Sequence, residues 1–63
     1  MKYDYYTQTK GFEEVKISLS QAIKICKQSI GSFSTSEIKS KLHNPEIGEM
    51  ESGFVRVWAE EKM

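Results

Sequence analysis

The stretch Ser18–Gly31, SLSQAIKICKQSIG, constrains the fold more than any other part of the chain, because its start, its apolar spacing and its stop all specify one helix. Ser18 followed by Gln21 is a capping box: the Ser hydroxyl accepts from the Gln21 backbone N–H while the Gln side chain reaches back to the Ser18 N–H. From Leu19 the apolar positions Ala22, Ile23, Cys26 and Ile30 recur at helical spacing and form one stripe, opposite Gln21, Lys24, Lys27 and Gln28. Only Ile25 lies off that stripe. Gly31 offers the left-handed conformation that ends helices at little steric cost. A helix of about a dozen residues is marginal alone in water, so the stripe requires a second layer to cover it.

The second layer has to be thin. With 63 residues, of which 38% are hydrophobic, the chain has room for a single domain, 1–63, and a domain of this size buries only about 60% of the surface its unfolded chain exposes. A cleft deep enough to dehydrate a substrate is not expected. No segment approaches the roughly 18 apolar residues of a membrane span, and Met1-Lys2-Tyr3-Asp4 lacks the pattern of a signal peptide, so a cytoplasmic protein is expected. Cys26 is the only cysteine. No intramolecular disulfide or thiolate metal cluster can form, and its place on the apolar stripe makes it a packing residue.

The flanking segments read as strands. In residues 2–9, Tyr3, Tyr5, Thr7 and Thr9 alternate with Lys2, Asp4, Tyr6 and Gln8, a strand pattern rich in aromatic and β-branched types. Lys10-Gly11 offers a turn, and Phe12–Ile17 resumes the alternation, which completes a hairpin. Ile17, just before the Ser18 cap, can staple onto Ala22. Ser34-Thr35-Ser36-Glu37 is a second capping box, opening a short helix with Ile38 and Leu42 four apart and Phe33 between the two helices. His43-Asn44-Pro45 ends it, because Pro45 disfavours helical conformation at Asn44. Residues 46–53 suit either a loop or a weak strand turning at Glu51-Ser52-Gly53. Phe54–Glu60 is the clearest strand, with Val55, Val57 and Ala59 on one face and Phe54, Arg56, Trp58 and Glu60 on the other. The order β-β-α-α-(β)-β folds most simply as an α+β domain, an antiparallel sheet with one long and one short helix on one face.

That architecture leaves one sheet face open. If Val55 and Val57 face the helices, Phe54, Arg56 and Trp58 share the open face, beside first-strand tyrosines such as Tyr5. Trp, Tyr and Arg are the types that dominate binding hot spots. If instead Phe54 and Trp58 form the core, the valines lie outward and the patch does not exist. Solvent accessibility of Trp58 separates the two arrangements.

Charge is balanced overall, nine basic against nine acidic residues, but it is unevenly distributed. Residues 16–43 hold Lys16, Lys24, Lys27, Lys39 and Lys41 against Glu37, whereas residues 46–63 hold five glutamates against Arg56 and Lys62. Solvated faces account for such a dipole without any binding role. The two helices joined at Gly31-Ser32-Phe33 also suit a helix-turn-helix, which would present Thr35, Ser36 and Lys39 to a DNA groove. Glu46, Glu49 and Glu51 in the position of a wing would repel phosphates. For catalysis the sequence offers no glycine-rich phosphate loop, no metal-ligand spacing and no nucleophile paired with a base. His43 reads as a surface residue suited to a helix C-terminus. No catalytic residue, metal or cofactor is expected.

The stretch Val15–Cys26, VKISLSQAIKIC, preceded by a strand hairpin, resembles the opening of some small phage-encoded anti-CRISPR proteins of the type I systems. Those proteins also run from a hairpin through a Ser-Leu-Ser-Gln-Ala helix start. The second capped helix, Ser34–His43, departs from that layout. The resemblance implies a small non-enzymatic inhibitor that occupies a surface of a larger host protein or ribonucleoprotein complex, with Lys24 and Lys27 set against a site meant for nucleic acid. In the same reading the acidic C-terminal third could imitate phosphates in a basic groove. The candidate partner-binding residues are thus Phe54, Arg56, Trp58, Tyr5, Lys24 and Lys27, on a monomer or homodimer. A small DNA-binding regulator and an assembly subunit pairing through its sheet are the alternatives.

Overall fold

The computed structural model describes residues 2–62. Its frame is the antiparallel pairing of two eight-residue strands, β1 (Lys2–Thr9) and β4 (Val55–Lys62). Two three-residue strands, β2 (Val15–Ile17) and β3 (Glu49–Glu51), flank them in the order β2-β1-β4-β3, all antiparallel. The helices α1 (Leu19–Ile25) and α2 (Thr35–Leu42) complete the expected α+β order. Directly paired residues share a face, so the register puts Tyr5, Thr7, Val15, Ile17, Met50, Val57 and Ala59 on the helix side. Ala22, Cys26, Ile38, Leu42, Met50 and Val57 form the buried core, with Ile17, Ile23, Ile25, Ile30, Phe33 and Ala59 packed against it.

Both capping boxes form. Gln21 N donates to Ser18 Oγ at 3.2 Å and Ser18 N to Gln21 Oε1 at 3.0 Å, and the same reciprocal pair joins Ser34 and Glu37 at 3.2 and 3.1 Å. The single long helix expected over Ser18–Gly31 is instead two geometries in series. After α1 the chain widens into a π-helical turn, Cys26–Ile30, closed by Gly31 N donating to Cys26 O at 3.0 Å. The wider turn aligns residues five apart. Ile25, off the stripe of a regular helix, packs with Ile30 against the core.

Gly31 does not end the helix by a left-handed conformation. Its φ of 172° is extended backbone. Glycine here lets the Phe33 ring approach closely: a β-carbon at position 31 would lie 2.9 Å from Phe33 Cε2, so any other residue would have to push the ring aside. The first turn does use a left-handed glycine, Gly11 at φ 88°. The second strand is shorter than its alternation suggests: residues 12–14 remain in the loop and only Val15–Ile17 pair with β1. At the far side, residues 49–51 form a strand rather than a loop, and β4 begins at Val55, leaving Phe54 in the turn before it.

The core residues set two expected outcomes. Leu42 is fully buried, and Leu42→Ala should cost about 2–5 kcal/mol in urea unfolding, comparable with the whole stability of a small domain. Burial also pushes the Cys26 thiol up. A disulfide reagent should therefore label Cys26 only as fast as the domain opens, and rapid labelling of the native protein would contradict the packing described here.

Candidate functional site

Among the described residues, none forms a layer over the sheet face that points away from the helices. The register gives that face Lys2, Asp4, Tyr6 and Gln8 from β1, Lys16 from β2, Glu49 and Glu51 from β3, and Arg56, Trp58, Glu60 and Lys62 from β4. Two pairs of like charges face each other directly across β1 and β4, Lys2 with Lys62 and Asp4 with Glu60. Directly opposed like charges destabilise a sheet. Neighbouring contacts relieve the strain: Asp4 Oδ1 takes Lys16 at 3.2 Å and Lys62 at 3.3 Å diagonally across the strands, while Glu60 accepts from Trp58 Nε1, two residues before it on the same strand, at 3.2 Å.

At the centre of the face lies Trp58. Its indole stacks beside Tyr6, ring centroids 5.7 Å apart and 20° between planes, and the Arg56 guanidinium covers it with Cζ 4.6 Å from the ring centroid. Arg56 is held in turn by Glu49, to which both Nε (2.9 Å) and Nη2 donate. The face therefore presents a cation fixed between an aromatic platform and a carboxylate, the geometry in which a guanidinium is pre-organised for recognition.

The candidate residues fall into three places. Arg56 and Trp58 share the helix-free face, and Val57 beneath them is fully buried against the helices, which is the arrangement of the two that creates an open-face patch. Yet Trp58 is only 9% exposed, because Tyr6, Arg56 and Glu60 lie over and around it. A partner would meet Arg56 and the edge of Tyr6 before it met the indole. Phe54 is in the turn, 76% exposed. Tyr5 does not join the patch: strand alternation puts it on the helix side opposite Ala59, and Tyr6 takes the place expected for it. Lys24 and Lys27 stand exposed on the helix layer, where Lys27 Nζ donates to Thr35 Oγ1 at 2.8 Å.

Tyr5 belongs to a separate cluster under the end of α2. Its hydroxyl is 2.6 Å from His43 Nε2, the Tyr3 ring stacks on the imidazole at 4.3 Å, and Tyr3 Oη donates to His43 O at 3.4 Å. Burial pushes the Tyr5 hydroxyl pKa up, with the neighbouring Tyr3 adding to the shift. A cavity of about 360 Å³, lined by residues including Tyr3, His43, Asn44 and Glu61, opens beside this cluster. His43 is thus clamped between two tyrosines rather than loose on the surface. Among the described residues, no group of three or more His, Cys, Asp or Glu side chains is placed to hold a metal ion, and no helix is long and apolar enough to cross a membrane.

Tyr6, Glu49 and Glu60 complete the cluster around Arg56 and Trp58; strand alternation in the sequence already puts Glu60 with them, whereas nothing in it singles out Tyr6 or Glu49. The alternation of residues 2–9 does separate Tyr6 from Tyr5, but only the β1–β4 register shows which of them meets Trp58. The chain matches no family model, no curated protein and no solved structure at a significant level.

The covering of Trp58 has a fluorescence signature. The native protein should emit at short wavelength and resist acrylamide, and Arg56→Ala should shift emission to the red and raise the quenching constant by uncovering the ring. Unchanged quenching would mean that Arg56 does not cover the indole. The Asp4 carboxylate supplies a pH signature. Partial burial acts to raise it, but the Lys16 and Lys62 ion pairs prevail and hold it below its ordinary 3.8. A carboxylate lowered on folding contributes stability that is present above its unfolded pKa and lost as pH falls through the folded one. Below pH 3.8, the urea midpoint should therefore fall less steeply for Asp4→Asn than for the parent, and equal slopes would remove Asp4 from this role.

Proposed function

We propose that the chain is a small protein-binding module that acts without catalysis, docking its helix-free sheet face on a larger protein. In the reading that the anti-CRISPR resemblance suggests, it is a phage or mobile-element inhibitor that occupies a surface of a host nucleic-acid-handling complex. The observation that carries the docking mode is the central Arg56, fixed between Trp58 and Glu49 on the face opposite the helices. Immobilised Arg and aromatic groups bind with little loss of side-chain freedom, which is how hot spots gain affinity.

The charge of the face supports a protein partner over a nucleic acid. Lys2, Lys16, Arg56 and Lys62 are matched by Asp4, Glu49, Glu51 and Glu60. Binding to a phosphate backbone draws on uncompensated cations, and a balanced face has few to offer. The helix layer differs, with Lys24, Lys27, Lys39 and Lys41 set against Glu37. That surplus favours the second reading, a DNA-binding regulator working through its helices.

One experiment separates the two. The parent protein, Arg56→Ala and the double variant Lys24→Glu/Lys27→Glu are immobilised, host lysate is passed over each, and retained proteins are identified by mass spectrometry. Binding to labelled duplex DNA is measured in parallel across salt concentrations. The docking reading expects a specific partner whose retention falls at least tenfold with Arg56→Ala and persists in the lysine variant. No specific partner, or one indifferent to Arg56, overturns it. Steeply salt-dependent DNA binding abolished by the lysine variant would establish the regulator instead.

A further inference from the structure

A second surface lies at the turn end of the sheet, meeting the helix-free face at Glu51. Of the chain's three phenylalanines, Phe33 packs against the core, whereas Phe12 and Phe54 are 72% and 76% exposed. Isolated apolar side chains on a surface need no explanation. What sets these two apart is that the turns that carry them are tied together by Lys10 N donating to Phe54 O at 2.7 Å.

Nor are they carried on loose loops. Phe12 N donates to Thr9 O at 2.9 Å and Phe12 O accepts from Gln8 Nε2 at 3.1 Å. Phe54 N donates to Ser52 Oγ at 3.4 Å, while its carbonyl is the one bound by Lys10. Both backbones are therefore fixed by bonds within the fold while both rings stand in solvent. Rings held out on an ordered backbone are the form that interface anchors take, since little freedom remains to be lost on binding.

The charges around them define what they fit. Glu13 and Glu14 follow Phe12 directly and Glu51 precedes the turn of Phe54, against Lys10; Arg56 also borders the Phe54 turn, but its charge is already taken up by Glu49. An acidic surround is repelled by phosphate backbones and by anionic bilayers. We infer that the turn end is a contact site for a protein partner that offers an apolar pocket bordered by lysine or arginine side chains. Phe12 and Phe54 enter the apolar pocket, and Glu13, Glu14 and Glu51 meet the basic border.

Site-directed photocrosslinking tests the contact and identifies the partner in the same step. A photoreactive p-benzoylphenylalanine is placed at position 12 or at position 54 of the full chain, produced in the host cell, and irradiated. The expected result is one and the same foreign protein joined at both positions, through peptides that contain or adjoin Lys or Arg. Adduct yield should drop at least tenfold when Glu13, Glu14 and Glu51 are all replaced by Lys. Different proteins at the two positions, adducts only with lipid or with a second copy of the chain, no adduct, or a yield indifferent to the charge reversal would each overturn the inference.

Phe12→Ser/Phe54→Ser should melt within about 2 °C of the parent, as exposed positions do. A larger fall would show that the rings serve the fold, and would also overturn it. The turn-end contact adjoins the helix-free face at Glu51 but does not draw on Arg56 or Trp58. Adducts that survive Arg56→Ala support it on their own, whereas adducts lost with Arg56→Ala yet kept after the charge reversal count against it.

Discussion

The pairing of β1 with β4 is the constraint on which the other elements depend. It runs over eight residues of each strand and joins segments from opposite ends of the chain, so its register decides which side chain of every central position is buried. A slip by one residue would turn β4 over, sending Trp58 toward the helices and Val57 into water. Both faces resist that slip. Val57 is enclosed by the helix layer, and on the other side Trp58 fits between Tyr6 and Arg56. Register is thus fixed by an apolar contact below the sheet and an aromatic and ionic one above it. The short flanking strands β2 and β3 inherit their alignment from this pair.

The helix layer is fitted to that sheet by local adjustments. α2 is regular and drives Ile38 and Leu42 into the core from a well-capped start. The first helix starts equally well but does not keep its period. It passes into a π-helical turn, and Ile25 and Ile30 pack against the same core that Ala22 and Cys26 reach. The extra residue in the turn leads the backbone to Gly31, against which Phe33 closes the gap between the helices.

What is legible in the sequence is whatever local chemistry determines. The capping boxes at Ser18 and Ser34, the strand over residues 2–9 and the burial of Cys26 each follow from side chains within a few positions of one another, and each appears in the structure. What needs three dimensions is not legible. Alternation separates Tyr5 from Tyr6 but is silent on which one faces Trp58, because both faces of β1 carry tyrosine. The π-helical turn has no marker in the sequence, since Ile25 reads as a residue out of phase until the core that receives it is known. Gly31 does end the helical segment, but its backbone is extended rather than left-handed, and what distinguishes it is the close approach of the Phe33 ring. Phe12 fits a strand by alternation and stands in the structure as an exposed ring on a fixed turn.

The helix-free face poses a physical problem that its side chains resolve in a way that bears on function. A tryptophan at the centre of a single-layer sheet would expose a large apolar area, yet Trp58 is nearly covered by Arg56, Tyr6 and Glu60. Displacing Arg56 to reach the indole would break the contact with the ring and the ion pair with Glu49 together, the first worth about 0.5–1 kcal/mol at an exposed site and the second about 0–1 kcal/mol. Neither loss is prohibitive, but a partner that accepts Arg56 where it stands avoids both and also spares the entropy of ordering a long side chain. In the proposed docking, such a partner would meet the upper edge of the Arg56–Tyr6 pair as it stands, with Trp58 as the platform beneath the contact.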